Sequence, residues 1–420
     1  MRKVLSVLLV CLLAGTALFA GGKKEAAAEG PVVIDHWYWC SNADAPAYQK
    51  LIDEFNRTHT DVQVRWENVP QKDVRTRFIT AYQVGEGPDT FGMGGGWASE
   101  FQAMGMLEPI DKYLETWEGR DDVFPTLWGP SNIDGVQYGM PWKLLVTYMY
   151  YRADWFKELG IEPPETIDEF IDAACKLTGK YTNENGETMD RYGYGMRGGA
   201  GNGQGYYIWV MTQGAKFYDE NGNVAFNTPE TVAATQLYLD LYQKYHCVPP
   251  SVVGDGFAEI IGAFKSGRTA MLNHHIGTSV ELSTALGDKV GVMLYPSDEN
   301  GHRWSEGSVI TLGISSISKK KDAAFEFISW MSEPWAVEYQ SKYLGSVPIL
   351  ESVSKLPYFA ENPFYRVSSE SVKYVGDFPK TVRWAAIVQN ITVTLLQQAL
   401  MGEITAQEMV DQISIELAKD

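Results

Sequence analysis

Apolar residues along this chain fall into two alternating rhythms. Tyr48, Leu51, Ile52 and Phe55 recur at i, i+3, i+4 and i+7, the spacing that turns one stripe of a helix toward a core. Val62, Val64 and Trp66 then alternate with polar residues, as a half-buried strand does. Val74, Phe78, Ile79 and Tyr82 mark another helix. Upstream, residues 32–34 predict a short buried strand leading into the string HWYW. Strands alternating with helices argue for an α/β chain built on parallel sheet. The stretch 150–170, YYRADWFKELGIEPPETIDEF, reads as a strand end, a short helix, a stop and a second helix start. The short helix covers 153–159, with Trp155, Phe156 and Leu159 on one face. Gly160 stands where a C-cap residue belongs, and Pro163-Pro164 prevents continuation. Thr166 and Glu169 then form a T-x-x-E capping box. The last helices are expected over about 382–400 and from 405 to the end, and no internal repeat is visible.

Between these elements, Asn185-Gly186, Asn221-Gly222 and Asn300-Gly301 signal hairpins or turns. Two DENG tetrads, starting at Asp219 and Asp298, look like calcium loops only superficially. An EF-hand loop needs glycine at its sixth position, and here glycine falls at the fourth, so both read as turns. Residues 198–205, GGAGNGQG, are expected to be the most flexible internal loop. The string GYGMRG at 193–198 satisfies G-x-G-x-x-G. A dinucleotide fingerprint needs an apolar strand before it, which ETMDRY does not supply, so no cofactor is expected.

The first twenty residues read as an export signal: Arg2 and Lys3, an apolar run over 4–13, and Ala20 as a small cleavage residue. The run is too short to span a membrane as a mature helix. Lipid anchoring at Cys11 is not expected, because Val10 before it is too large for the usual pattern. Residues 21–30, GGKKEAAAEG, read as a disordered linker. The 420 residues suffice for two domains with sizeable cores. A formal net charge of -18 argues against nucleic acid or an anionic membrane surface as partner. Cys40, Cys175 and Cys247 remain after the signal, an odd and widely spaced set that is neither a disulfide framework nor a zinc motif. A Cys175–Cys247 bridge or free buried thiols are both open.

Candidate binding chemistry is aromatic and polar. Aromatic residues make up 13% of the chain, which supplies either core packing or flat surfaces for the C–H faces of sugar rings. Trp37 and Trp39 follow the first strand, and ligands of open α/β sheets bind beyond the carboxyl ends of strands. Trp39 is taken as the cleft residue of the two. In GMGGGW, Gly95 and Gly96 allow a ligand to approach the backbone, and Trp97 can cap it. The same string also fits an ordinary strand-to-helix loop with Trp97 in the core. Asp89 reads as a structural turn or cap residue. Arg197 opens the glycine loop and can donate paired hydrogen bonds to vicinal hydroxyls, or form a surface ion pair. Asn273, His274 and His275 offer further hydrogen bonds. Adjacent histidines rarely both ligate a metal and no carboxylate motif accompanies them, so no metal site is expected.

The motifs also carry a resemblance. The string at 150–170, PVVIDHWYW at 31–39, KLIDEFNRTH at 50–59, GEGPDTF…W…GMLEPID over 85–111, YGMPW at 138–142, RYGYGMRGG at 191–199, FKSGRTAML at 264–272 and KKKDAAFEFISWM at 319–331 occur together in order. In that order the chain resembles the sugar-binding, maltose-binding-protein-like extracellular solute-binding proteins of ABC importers. The resemblance implies a type II-like periplasmic-binding-protein fold, two α/β lobes around a ligand cleft. It places about three hinge crossings, near 143–147, 308–313 and 345–348. The implied lobes are 31–143 with 312–346, and 144–311 with 347–420. It puts Trp142 and Lys143 at the first crossing, favours Trp97 as a ligand contact, and points to Trp384 as a stacking aromatic with Arg383 beside it. Trp304, ahead of the second crossing, is a further candidate. The family motif around 269–279 often ends in a stacking Trp, where this sequence has Ile276 and Gly277.

The expected function is capture of a carbohydrate outside the cytoplasm and its delivery, by hinge closure, to the membrane subunits of an ABC transporter. No catalysis, nucleic acid or cofactor is expected, and a monomer is. Two alternatives remain: a secreted glycosidase, which needs two carboxylates across one cleft, and a binding protein for a polyol or phosphorylated polyol.

Overall fold

The computed structural model describes residues 30–94, 96–182, 186–376, 378–379, 381 and 383–419. The expected export signal, nearly all of the expected linker, Cys11, Asn185, Gly95 and residue 382 lie outside the described residues. The chain opens with β1 (Val32–Tyr38), helix Ala45–Thr58, β2 (Val62–Asn68), helix Gln71–Gln83 and β3 (Thr90–Met93). Helix Ala45–Thr58 buries Tyr48, Leu51, Ile52 and Phe55, the four residues its spacing predicts. β1 is longer than expected and not buried at its start. Val32 and Val33 are exposed while Ile34, His36 and Tyr38 face the core. β1 runs parallel to both β2 and β3. Asp89 is structural, as expected: it accepts the Asp35 N–H at 2.9 Å and Ser318 Oγ at 2.6 Å, and pairs with Lys320.

A short hairpin, β4 (Asn132–Ile133) with β5 (Val136–Gln137), precedes the 14-residue strand β6 (Gly139–Arg152). β7 (Gly179–Thr182), β8 (Thr188–Gly195), β9 (Thr269–His275), β10 (Val290–Met293) and β11 (Gly307–Ile314) complete the strands among the described residues. The main sheet runs β2-β1-β3-β11-β6-β9-β8-β7, with β10 also paired to β6. It is mixed, not parallel as the α/β alternation suggested. β11 lies antiparallel to β3 and β6, and β6 antiparallel to β9.

β6 joins the two lobes. Its first half, from Gly139 to Val146, pairs with β11, and from Thr147 onward it pairs with β9. A third segment crosses beside it. Val347 donates its N–H to Leu144 O at 2.9 Å, and Ser346 Oγ accepts from the Leu144 N–H at 3.1 Å. The three segments expected as crossings therefore lie side by side. One hydrophobic core, including Tyr48, Phe55, Trp142, Leu312 and Phe327, belongs to the first lobe. Another, including Tyr194, Tyr207, Trp209 and Tyr238, belongs to the second. A third core packs Val123 and Val337 against Leu272 and Ile276 through Leu144 and Val347, so apolar contact runs beneath the crossings.

Local signals were read well at helix ends. Gly160 adopts φ 62° at the end of helix Ala153–Leu159, and Thr166 with Glu169 closes the capping box of helix Ile167–Leu177. Asp219 accepts backbone N–H groups of Asn221 and Asn223, and Asp298 those of Asn300 and His302, which makes both DENG tetrads turns. Other expectations need correction. Leu159 is exposed, not on the buried face with Trp155 and Phe156. The late helix is interrupted: Trp384–Ala386 passes through a π-helical turn, Ile387–Ile391, before Thr392–Leu400. Within 198–205, Gly198 and Gly203 make close contacts. A Cβ on Gly198 would lie 2.3 Å from Val252 O, and one on Gly203 2.9 Å from Val388 Cγ1. The three described cysteines are free thiols, with Cys247 buried but Cys175 exposed.

Candidate ligand-binding site

In the second lobe, β8 ends at Gly195, opposite Leu272 of the parallel strand β9, and β9 runs on to His275. Antiparallel β6 enters the same edge at Thr147, opposite His275. Beyond these ends lies a cavity lined by Thr147, Tyr194, Gly195, Arg197, Gln204, Gly205, Asn273 and His274. This is the edge where α/β sheets bind ligands. The cavity is about 20 Å³, room for a water or so, and anything larger requires its walls to part.

The walls carry polar atoms with no protein partner among the described residues. Asn273 leaves both Oδ1 and Nδ2 unpaired and His274 leaves Nε2; beside the cavity, on the carboxylate that Gln204 hydrogen-bonds, Glu306 leaves Oε2, and all of these atoms are buried. Buried polar groups ordinarily find partners, so a cluster of orphans marks a site built for something else to satisfy. His274 is fixed by Thr278 Oγ1 on its Nδ1 at 2.5 Å, which aims the other nitrogen. Burial, reinforced by His275 and Arg197, holds its pKa well below the usual histidine value. Its ring is therefore neutral. His275 accepts the Gly277 N–H on Nδ1 and is pushed down to about 3 by burial, then by Lys143 and Arg197.

Arg197 turns back over its own loop, donating Nε–H to Ala200 O at 2.6 Å. Its guanidinium covers Gly201, where φ is +82°, a backbone conformation that favours glycine. Burial pushes Arg197 down to about 10, opposed by the charges of Glu306 and Glu259. Glu306 sits next to Thr147, whose N–H donates to Glu306 O at 2.9 Å. Burial raises its carboxyl to about 7, opposed by a hydrogen bond from Gln204 and by Arg197. Across the crossing, buried Lys143 donates to Leu344 O at 3.1 Å. Burial pushes it down to about 8, against the pull of Asp44. Lys143 thus lies within electrostatic reach of Asp44 in the first lobe and His275 in the second.

Of the residues singled out from sequence, Arg197, Asn273 and His274 line the cavity, His275 follows His274, and Lys143 acts on His275 from the crossing. The tryptophans lie elsewhere. Trp39 is half-buried, its ring 4.7 Å from Tyr38 and 5.3 Å from Trp97. Trp37 lies under the Arg77 guanidinium at 4.3 Å. Trp97 packs against Phe101 in a core and is 5% exposed. The glycines before it answer local needs: Gly96 has φ 80° at the helix start, and a Cβ on Gly94 would touch the Trp97 ring at 3.4 Å. Trp142 is fully buried, edge-on to Tyr38 and Tyr48. Trp304 lies over Gly376 and against Phe378. Trp384 packs among Tyr207, Phe217 and Phe378. Arg383 is held by Glu416 at 2.6 Å. Sequence reasoning missed Thr147, Gln204 and Glu306. Glu306 stands two residues after the flagged Trp304, but only the approach of β11 to β6 sets it beside Thr147, next to the cavity. Among the described residues no group of three or more His, Cys, Asp or Glu is arranged to hold a metal ion.

Comparison with known proteins agrees with this architecture. A mannitol-binding protein of Pseudomonas aeruginosa is 26% identical over 405 residues, covering 90% of this chain and 88% of that protein. A maltotriose-binding protein of Pyrococcus abyssi is 25% identical, covering 85% and 75%. An ABC transporter solute-binding protein from Thermotoga lettingae, solved with α-D-tagatose, superposes with a TM-score of 0.83 at 25% identity, covering 92% of this chain and 99% of that one. A maltose-bound T. maritima protein shares the fold, with a TM-score of 0.84 at 21% identity over 92% and 99% of the two chains. Residues 41–337 match the model of the bacterial extracellular solute-binding protein family, and the chain belongs to that family.

Proposed function

We propose that this protein captures a small polyhydroxylated solute, a sugar or sugar alcohol, between its lobes and presents it to the membrane subunits of an ABC importer without altering it. The observation that carries the reading is the cluster of buried polar atoms at the cavity, Asn273 Oδ1 and Nδ2, His274 Nε2 and Glu306 Oε2, which lack protein partners. Donors and acceptors mixed at one spot suit hydroxyl groups, which both give and accept hydrogen bonds. The sugar and polyol ligands named for the relatives support the same class. The lobes, 31–143 with 312–346 and 144–311 with 347–420, close about the three adjacent segments at 143–147, 308–313 and 345–348. The site residues in this reading are Arg197, Gln204, Asn273, His274 and Glu306, with Lys143 and His275 at the rim. The protein acts as an exported monomer, its signal the apolar run near Arg2 and Lys3.

A calorimetric panel of monosaccharides, hexitols and maltooligosaccharides tests the reading, with small-angle scattering on any ligand found. Binding accompanied by a smaller radius of gyration is expected, with the ligand recovered intact after long incubation. Failure of every member to bind, or cleavage of a bound glycan, would overturn it. Asn273→Ala should weaken binding about tenfold or more, since it removes hydrogen bonds that only the ligand makes.

A further inference from the structure

Two cations, buried Lys143 at the crossing and half-buried Arg197 at the cavity, each have a carboxylate within electrostatic reach. Lys143 faces Asp44, and Arg197 faces Glu306. Glu259, from helix Phe257–Lys265, also acts on Arg197, while His274 and His275 are neutral. No ion pair within 4 Å joins Arg197 to Glu306 among the described residues. Glu306 is 9% exposed, and its Oε2 has no protein partner. The carboxylate therefore offsets the guanidinium charge without a direct ion pair, while Gln204 holds it and one oxygen stays free to accept from a ligand.

We infer that Glu306 is a specificity-determining residue: it offsets the charge of Arg197 and so restricts the cavity to uncharged polyhydroxy ligands, excluding their phosphorylated and carboxylated counterparts. The inference rests on the carbohydrate reading above. A buried anion beside Glu306 is repelled, and pairing it with Arg197 strips Glu306 of its counter-charge. A neutral sugar keeps the couple intact. One of its hydroxyls donates to Oε2, and others accept from Arg197 and Asn273. The raised carboxyl of Glu306 fits this arrangement, because a group so buried and incompletely paired gains from a donor that stabilises its charged form.

Matched pairs test it by calorimetry on the full mature chain: D-glucose against D-glucose 6-phosphate and D-glucuronate, and D-mannitol against mannitol 1-phosphate. The wild-type protein is expected to bind the neutral member of a recognised pair at least 100-fold more tightly than its anionic partner. Glu306→Gln keeps the shape and the Gln204 contact while removing the charge. It is expected to bind the neutral member about tenfold more weakly and the anionic member about tenfold more tightly. A wild-type preference for an anionic member overturns the inference alone, and so does a folded Glu306→Gln variant with unchanged selectivity. Failure of all probes, neutral and anionic, overturns the carbohydrate reading and this inference with it. The wild-type comparison needs no variant, so it decides even if Glu306→Gln does not fold.

Discussion

Trp384 offers the sharpest test of what an aromatic does in this fold. Family resemblance makes it a stacking residue, yet its ring lies in the second lobe's core at 8% exposure. Tyr207, Phe217 and Phe378 surround it at centroid distances of 5.2, 5.1 and 5.2 Å. A buried indole withdraws roughly 150–250 Å² from water, worth about 4–6 kcal/mol at about 25 cal/mol per Å². Partial collapse of the surrounding rings into the hole recovers some of this, which brings the expected cost of Trp384→Ala to about 3–5 kcal/mol. Trp384→Phe should lose less than half as much, because most of the volume stays filled. The assay is urea unfolding followed by circular dichroism, with ligand affinity measured separately on the folded fraction. The two lobes can unfold in separate steps, so the transition that shifts must be the second lobe's. Stability within about 1 kcal/mol of wild type, together with lost ligand binding, would refute the packing argument and restore Trp384 to the binding surface.

Two further predictions follow from backbone and charge. Gly345 has φ +58°, and a Cβ there would lie 2.7 Å from Ile276 O and 2.9 Å from Gly277 Cα. Gly345→Ala should therefore destabilise by about 2 kcal/mol or more and disturb the crossing; an unchanged melting temperature with a normal ligand-induced contraction in scattering would contradict this. His36, hydrogen-bonded to Thr90 and Tyr48, is pushed down to about 3 by burial, and His274 is also held well below its usual value. Stability from such depressed bases is present above pH 6.5 and lost on acidification, about 1.4 kcal/mol per unit each. The raised carboxyl of Glu306 works oppositely, adding stability as pH falls from about 7 toward 4.5. His275, also pushed down to about 3, adds to the loss, so the three histidines outweigh Glu306 and stability should fall between pH 6.5 and 4.5. Glu306→Gln should steepen that loss, and a urea midpoint flat across the window would count against the assignment.

How much could be read beforehand depended on the range of the interaction involved. The capping box at Thr166 and Glu169, the left-handed Gly160 and the buried face of helix Ala45–Thr58 were legible, because each is settled within a few residues of chain. Arg197, at the opening of the glycine loop, and Asn273 and His274 were singled out as hydrogen-bonding residues, and all three line the cavity. The tryptophans were less legible. An indole suits a core and a sugar face equally, and sequence does not say which neighbours fill its surroundings. Glycine runs carried the same ambiguity: Gly198 and Gly203 look like freedom in the sequence but serve close backbone packing.

By itself the sequence determined the α/β class, the first helices with their buried faces and the caps, because periodicity and capping are local properties. Only the tertiary structure decided that the sheet is mixed and that three distant segments lie side by side at Leu144 and Val347. The same pairing brings Glu306 beside Thr147, within electrostatic reach of Arg197. Those contacts join residues far apart in the chain, and whether a side chain ends there as an orphan at a cavity or as packing in a core depends on what the fold sets against it.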